Sequence, residues 1–311
     1  MSATPYDSLS KDAQTAQIEF ASDFEQALAG ASDPWAMELG RSRRTRALKT
    51  KFPVPVTAVG FEEFRGDPRY RTLSSRTIEA TIKEYFDGVS EKRTTVEAPD
   101  FMAWDDEPAN MAAEAAALPN SLVGDLLVAA TGGTHPWDDL SFFNDAHLVN
   151  PFKPSAGTFD NQFTGQAISL ATLKLIKARF RGIKKANGKR PLGLRLTHIL
   201  VHPDQEQDWR DFEQNQRVGA SGGEENRHRA TFEVIVGDDL PSTLSGIYFP
   251  LALNKVGMYP WAVQQWPSPE VRFLGLDSAM YEKQLNIGVD VILRATAALG
   301  MPHCIQRCAI A

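Results

Sequence analysis

Cysteine is scarce in this chain, which contains only Cys304 and Cys308 among its 311 residues. Two cysteines are too few for a disulfide framework. Together with His303 they offer three potential ligands, whereas a structural zinc site usually takes four. The sequence therefore predicts neither a disulfide-stabilised fold nor a metal site at these positions.

Long hydrophobic runs are also missing. No apolar stretch approaches the ~18 residues that a membrane-spanning helix requires. The sequence from Met1 to Tyr6 lacks the basic start and apolar continuation of a secretory signal, so we expect the protein to remain in the cytoplasm where it is made. A hydrophobic content of 42% and a charged content of 23% are ordinary for a soluble globular protein. The length admits two domains, or one large domain with insertions.

The chain has no excess of positive charge. It carries 33 Lys and Arg residues against 39 Asp and Glu residues, which gives a formal net charge of −6. Nucleic-acid binders gain affinity by neutralising phosphates. The charge balance therefore argues against a general nucleic-acid binder, although a mildly acidic protein can still enclose DNA.

Motifs of catalysis are lacking as well. The sequence contains no Gly-x-Ser-x-Gly and no Walker or dinucleotide glycine loop. His198 and His202 are four residues apart, but their apolar neighbours favour a strand and Pro203 ends it. Two ligands alone do not make a metal site.

One polar segment is rich enough to supply nitrogen and oxygen ligands for zinc or iron. Its candidate ligands are His135, Asp138, Asp139, Asp145 and His147. The segment has no tight motif such as His-Glu-x-x-His, and the two Phe residues in its middle are typical of anchors that pin a loop to a core. We favour the structural interpretation and keep a metal site as an alternative.

Apolar spacings of three and four predict several helices. Residues 11–30 form the first of them. A longer helix begins at Glu107-Pro108, where acidic residues and proline mark a helix start, and continues to Ala130. Pro119 should kink or divide this helix because it removes a backbone donor. Further helices are predicted at 165–185, with a basic C-terminal end, and around 208–212.

Residues 52–87 predict two long strands joined by a loop. A hairpin of this length is marginal alone in water, so it should lie on something else, such as another copy. A basic run from Gly40 to Lys51 precedes it and predicts an exposed strand or arm, or an arm that pairs with acidic surface on a neighbouring subunit. Residues 214–229 predict a loop. Further strands are predicted at 194–201, 231–236, 246–249, 261–264, 271–274 and 288–293.

Several short blocks occur in the order that one viral family uses. The blocks are Lys51-Phe52-Pro53, Tyr70, Thr77 to Thr81, the Ala-rich helix with Pro119 and Leu126-Leu127, the segment from Trp137 to His147, Leu200 to Pro203, and Gly288 to Arg294. With these blocks the sequence resembles the major head (major capsid) proteins of Mu-type tailed phages, from about residue 41 to the end. Asp139 stands where that family commonly has Gly.

The resemblance implies an α+β fold of the Hong Kong 97 capsid type. Its parts would be an N-terminal arm at residues 1–50, an extended β-hairpin loop (the E-loop) at 51–90, a peripheral domain with a long spine helix at 91–160, an axial domain at 161–265, and a return to the peripheral domain at 266–311.

The resemblance also implies a function. The chain would be a major capsid protein that assembles into hexamers and pentamers of an icosahedral head around double-stranded DNA, without catalysis, cofactor, membrane or sequence-specific DNA binding. Expected partners are further copies of itself, a scaffold, a protease, a portal and a decoration protein. Expected locations are the virion capsid and, during assembly, the host cytoplasm. Candidate subunit-interface residues are Arg41, Arg43, Arg44, Arg46, Phe64 and Tyr70.

Two alternatives remain open. The first is an encapsulin-like non-viral shell of the same fold, which would enclose an enzyme instead of DNA. The second is a metal-dependent hydrolase built on His135, Asp138, Asp139 and His147.

Overall fold

The structure, a computed structural model, describes residues 11–32, 34–55, 75–96, 104, 106–215, 217–218, 224–275, 278 and 284–310. Within these residues the α-helices are α1 (Lys11–Gly30), α2 (Trp35–Leu39), α3 (Arg93–Val96), α4 (Glu107–Ala129), α5 (Leu170–Gly182) and α6 (Glu206–Gln214). Short 3-10 helices occupy Pro154–Ala156, Pro203–Gln205, Ser242–Leu244 and Pro302–Cys304. No described helix has the length and apolar character to cross a membrane.

Strands fall mainly before α3 and after α5. They are β1 (Arg41–Arg44), β2 (Lys49–Pro55), β3 (Ser75–Thr81), β4 (Lys83–Lys92), β5 (His147–Leu148), β6 (Thr158–Phe159), β7 (Gln162–Phe163), β8 (His198–Val201), β9 (Arg217–Val218), β10 (Glu224–Glu225), β11 (Glu233–Val236), β12 (Ile247–Leu251), β13 (Trp261–Gln265), β14 (Glu270–Leu274), β15 (Asn286–Leu299) and β16 (Arg307–Ala309).

A first sheet is organised around the long strand β15. On one side β15 pairs antiparallel with β4 from Asn286 to Ala295, and on the other it pairs antiparallel with both β14 and β13. Strand β1 adds parallel to β13 and forms the edge. Alternate residues Ile287, Val289 and Val291 are buried and pack with residues of α1 and α4, because successive side chains of a strand point to opposite faces. The two helices therefore cover one face of this sheet.

The long helix α4 is a single helix, with Pro119 inside it. The predicted interruption at Pro119 does not divide the helix. Pro119 is itself buried, and its neighbour Asn120 accepts a hydrogen bond from the Ala36 backbone N–H at 3.0 Å and donates to Asp239 at 2.7 Å. Contacts of this kind offset the missing backbone hydrogen bond, so the helix continues past the proline.

A second sheet has the strand order β11-β8-β12-β16-β7. Helices α5 and α6 pack on it through Leu173, Ile176, Phe180 and Trp209, all fully buried. Ser169 caps the start of α5 by accepting a hydrogen bond from the Thr172 N–H at 3.1 Å. The helix begins five residues later than the predicted range because this cap lies at Ser169.

Two strands pair with strands from another of the predicted sections, and the assignment of the sections to domains stays a prediction. Strand β13, placed in the axial section at 161–265, pairs with β15 of the first sheet. Strand β16, placed in the returning section at 266–311, pairs with β12 of the second sheet. The chain therefore passes between the two sheets more often than the predicted division into five consecutive sections implies. Pairing over long sequence separations decides this, and no local pattern encodes it.

Strands β2 and β3 form an antiparallel ladder from Lys49↔Thr81 to Pro55↔Ser75. Phe52, Ile78 and Ala80 are buried in a cluster with Trp137 and Met301. The base of the predicted hairpin therefore packs on a core within its own chain, where the sequence suggested another copy as a possible support. The predicted second strand also ends earlier, because residues 83–92 belong to the first sheet as β4.

Candidate assembly surfaces

The Asp138 to His147 segment is a buried structural clamp. Asp138 Oδ2 accepts hydrogen bonds from His147 Nδ1 and from the Leu148 N–H, both at 2.9 Å, and the two side chains are fully buried. His147 Nε2 lies 3.0 Å from the Phe142 carbonyl oxygen. Burial alone would raise the pKa of Asp138, but the hydrogen bonds and charge of His147 outweigh it and hold that pKa below its usual value.

The two adjacent phenylalanines act as anchors, as the sequence predicts. Phe142 and Phe143 are each 1% exposed and pack in the core cluster that includes Val123 and Leu127 of α4. Their rings meet edge-on at 5.1 Å between centroids. The segment therefore fixes the loop after α4 onto the central core of the molecule.

The proposed metal ligands do not form a metal site. Both ring nitrogens of His147 face protein oxygens, and His135 Nδ1 accepts a hydrogen bond from the Trp137 N–H at 3.2 Å. Burial lowers the pKa of His135 to about 4, so this ring stays neutral in the core. Asp139 and Asp145 are exposed. Among the residues that the structure describes, no three His, Cys, Asp or Glu side chains group to hold a metal ion.

The other candidate ligands are likewise separated by the fold. His198 lies beside Glu233 at 3.5 Å, while His202 bonds to Asp204 at 2.9 Å beyond the end of β8. Cys304 and Cys308 are free buried thiols, and burial raises the pKa of Cys308 to about 12 and that of Cys304 further. A metal binds the thiolate, which burial disfavours at both positions.

The basic run forms an exposed edge strand. All four residues of β1, including Arg41, Arg43 and Arg44, are exposed, and so is Arg46 beyond it. Arg41 lies over the Tyr259 ring at 5.4 Å. Within the described ranges, Arg43, Arg44 and Arg46 have no carboxylate at ion-pair distance. Charged side chains on an edge strand discourage indiscriminate strand pairing and leave the charge available to a specific partner.

The hairpin stem presents a second exposed surface. Lys51 and Glu79 pair across it at 3.0 Å, and both side chains are more than half exposed. The two remaining candidate interface residues, Phe64 and Tyr70, lie outside the described residues. The described ladder of the stem ends at the pair formed by Pro55 and Ser75.

Sequence patterns missed a third surface, the face of the first sheet opposite α1 and α4. Arg294 donates to Glu84 at 2.7 Å and to Glu270 at 2.6 Å, which ties together β4, β15 and β14. Phe86, opposite Ile292 in the register, is 66% exposed on this face. Charged and apolar residues alternate along these strands, which is the ordinary pattern of a strand and does not by itself indicate an exposed surface. The pairing register shows which side chains share this face.

Neither a scan of protein-family models nor a search of curated proteins finds a match to this chain. Solved structures do match. The procapsid of bacteriophage JBD30 matches with a TM-score of 0.57 at 14% identity, covering 96% of this chain and 75% of that chain. A structure of Microbacterium phage Oxtober96 matches with a TM-score of 0.53 at 12% identity, covering 100% and 96%. The capsid of a native GTA particle matches with a TM-score of 0.56 at 10% identity, covering 91% and 92%.

These matches confirm the fold class predicted from the sequence. The chain has an α+β fold of the Hong Kong 97 capsid type, the fold of phage capsid structures, over nearly its whole length. Sequence identity is so low that the fold is what the comparison establishes.

Proposed function

We propose that this chain is the major capsid protein of a tailed bacteriophage or prophage, a structural subunit that assembles into hexamers and pentamers of an icosahedral head around double-stranded DNA. The observation that carries the proposal is the shared fold with capsid chains across 91–100% of the sequence. The clamp that replaces the candidate metal site supports a structural role, because its polar atoms serve packing.

A shell of this kind needs several modest contacts per subunit. Each subunit touches a number of copies, and simultaneous engagement converts weak pairwise binding into a closed particle. The exposed β1 edge, the hairpin stem and the open face of the first sheet lie on separate elements of the chain. A single subunit can therefore offer different surfaces to different neighbours.

Electron microscopy tests the proposal most directly. We expect negative-stain images of the full chain, expressed alone and with its neighbouring genes, to show closed shells or rings of five and six subunits. A protein that stays monomeric in both preparations at high concentration would contradict the proposal.

The basic edge strand gives a residue-level test of assembly. We expect Arg43→Glu with Arg46→Glu to abolish shells while leaving folded monomers, because reversed charge repels the acidic surface that we propose on a neighbour. Arg41 is left unchanged, since it also packs on Tyr259. The readouts are shell yield by sedimentation and folding by circular dichroism.

A matched control keeps the charge change constant. Lys153→Glu with Lys189→Glu makes the same change at two exposed positions away from β1. Intact shells from the control together with none from the β1 variant support the role of β1. Equal shell yields from both variants would rule that role out.

The proposed partners are a scaffold, a protease, a portal and a decoration protein, in addition to further copies of the chain. The relation to Mu-type phages, the virion location and assembly in the host cytoplasm belong to the same proposal, and the order of sequence blocks supports them. A portal or terminase gene beside this one would favour the phage head. An enzyme gene in that place would instead favour the second candidate, an encapsulin-like shell that encloses a protein cargo.

A further inference from the structure

A cationic cleft lies on the outer side of α5. It encloses about 790 Å³ between α5, the segment before β8 and the segment before β11. Five of its lining residues are cationic, namely Lys174, Lys177, Arg181, Arg195 and Arg227, and His228 and Thr231 complete the polar lining. Among the residues that the structure describes, no Asp or Glu lines it. This concentration of one sign stands out in a chain whose net charge is −6.

The helical repeat explains why three of the cleft's cations lie together. Lys174, Lys177 and Arg181 are spaced by three and four, so they share one face of α5. The adjacent face of the helix buries Leu173, Ile176 and Phe180 in the core. Seven residues of helix span about 10 Å, which is about three nucleotide steps of one DNA strand. The cations are therefore fixed in a row by a rigid element.

Lys177 is the centre of the cleft. Its Nζ donates to Thr231 Oγ1 at 2.6 Å and to His228 Nδ1 at 3.0 Å, and it lies 5.6 Å from the Phe232 ring centre. Both acceptors are neutral groups. Burial, with a smaller effect of Arg181, lowers the pKa of Lys177 to about 8. A half-buried ammonium without a counter-charge is costly, and a bound anion would offset that cost.

Three of the other four cations of the cleft likewise have no carboxylate partner among the described residues. Within the described part of the chain, no carboxylate lies at ion-pair distance from Lys174, Arg181 or Arg195. Arg227 at the rim pairs with Glu225 at 3.6 Å, with both side chains largely exposed. Apart from this exposed pair at the rim, the described part of the chain supplies no carboxylate that neutralises the cations of the cleft.

We propose that this cleft binds the phosphate backbone of DNA, without reading its sequence, through Lys174, Lys177, Arg181 and Arg195. The choice of DNA rests on the proposed function, in which DNA is the polyanion that the shell encloses. Two further observations favour phosphate: the cations come from separate segments, and two of them are arginines, whose forked guanidinium fits phosphate oxygens.

The test measures binding of a fluorescent DNA duplex to full-length protein held as unassembled subunits, by anisotropy over a range of salt concentrations. About three phosphate contacts should cost about 40-fold in affinity between 50 and 200 mM salt. We expect Lys174→Gln, Lys177→Gln and Arg181→Gln together to remove most of this salt dependence and to weaken binding at least tenfold. The double variant Lys174→Gln and Arg181→Gln changes only exposed residues and should weaken binding in the same direction if the triple variant does not fold.

The control removes three charges elsewhere. Lys83→Gln, Lys92→Gln and Lys153→Gln change exposed lysines outside the cleft and should bind DNA as the wild type does. Equal loss of affinity in the control and cleft variants would overturn the proposal, because it would show a general effect of net charge. A cleft variant that binds DNA normally but fails to form shells would also overturn it, since the cleft would then contact an acidic surface of a second copy.

The pH dependence gives an independent readout. Bound phosphate favours the charged form of Lys177, so affinity should fall several-fold as the pH rises from 7 to 9, through the pKa near 8. Lys177→Arg keeps its charge over this range and should bind with little pH dependence. An identical pH dependence in the wild type and this variant would contradict the role of Lys177.

The outcomes separate this inference from the proposed function. Shells that form normally from subunits without DNA affinity would remove the DNA site and leave the capsid role intact. DNA binding by a chain that never assembles would instead contradict the capsid role and leave the cleft as a DNA-binding surface.

Discussion

At the scale of single residues, the Asp138–His147 pair shows how a polar cluster can serve packing. The pair lies nine residues apart in sequence and closes a loop whose centre is two buried phenylalanines. The carboxylate also accepts the Leu148 N–H, so one side chain satisfies a ring nitrogen and a backbone donor. Such a pair stabilises only while both partners remain, because a lone buried charge is costly.

We predict that Asp138→Asn lowers the free energy of unfolding by about 3 kcal/mol at pH 7, the cost of breaking a buried pair. The pKa of Asp138 is lowered in the folded state, so its stabilising contribution is present above the unfolded value of about 3.9. That contribution is lost as the pH falls below about 4 through the folded value. Chemical denaturation at pH 7, 5 and 3 measures the difference between wild type and variant.

Asp145→Asn is the matched control, because Asp145 belongs to the same segment and is exposed. It should change the free energy of unfolding by less than about 0.5 kcal/mol. An effect as large as that of Asp138→Asn, or a difference for Asp138→Asn that persists unchanged at pH 3, would contradict the clamp.

Asp139 stands at a position where the resemblance stated above implies glycine, and its backbone conformation explains why. Its φ of 63° lies in the left-handed region, where glycine is unstrained and Asp is among the better-tolerated side chains. A glycine at this position, as the resemblance stated above implies, would meet the same backbone requirement. The local sequence indicates a turn, but φ becomes known only in the structure.

At the scale of elements, β15 carries the first sheet and makes close contact with β4. A β-carbon at Gly288 would lie against the Val89 carbonyl oxygen, closer than ordinary van der Waals contact. The neighbouring Asp290 is 2% exposed and forms two 2.8 Å hydrogen bonds with Arg272 of β14. The strands on either side of β15 are thus held at short range.

We predict that Gly288→Ala lowers the free energy of unfolding by about 1–3 kcal/mol, because the added methyl group must push the β4 backbone away. Urea denaturation of the two proteins measures the loss. Gly246→Ala is not a suitable control, since φ is +72° there; Gly182→Ala is, because a β-carbon at Gly182 meets open space at the end of α5. Similar stability for Gly288→Ala and wild type would show that β4 can shift at no cost.

Elements with strong periodic patterns could be predicted from the sequence. Helices α1, α4 and α5 bury apolar stripes, and five strands of the second half lie where alternation placed them. Strand β15 is longer than the predicted 288–293, because Ala295, Ala297 and Ala298 are weak strand formers that pairing with β13 recruits. The partners of β1 and β16 lie more than 50 residues away and left no local signal.

The candidate surfaces also differ in whether the sequence alone reveals them. The basic run is visible in the sequence, because its charges are consecutive and few apolar residues interrupt it. The cationic cleft is not, because Arg195 and Arg227 join the α5 lysines only through the tertiary fold. In the sequence, Lys177 and Arg181 are explained by the favourable interaction of positive charges with a helix C-terminus. That explanation does not indicate that the two side chains share a face with a binding role.

At the scale of the whole molecule, the buried thiols report on global opening. Cys304 and Cys308 are fully buried, one beside Met301 and the other beside Tyr248. Burial raises the pKa of both thiols, so the reactive thiolate is scarce in the folded protein.

We predict that a thiol reagent modifies neither cysteine in the native protein at pH 8 within the lifetime of the folded state, and modifies both in urea. The rate under native conditions should follow the unfolding equilibrium or rate, so Gly288→Ala should react faster than wild type. Mass spectrometry counts the modified thiols. Prompt modification of the folded wild type would show that local motion exposes them.

The central position of β15 also determines when the first sheet can form during synthesis of the chain. Strand β4 emerges from the ribosome about 190 residues before its partner β15. The edge strand β1 likewise cannot pair until β13 has been synthesised. Domains fold as their chain becomes available, so the first sheet cannot form on a partial chain that ends before residue 286. A truncated product would expose the apolar faces of α1 and α4 without the sheet that covers them. The first sheet can therefore be completed only after β15 has been synthesised.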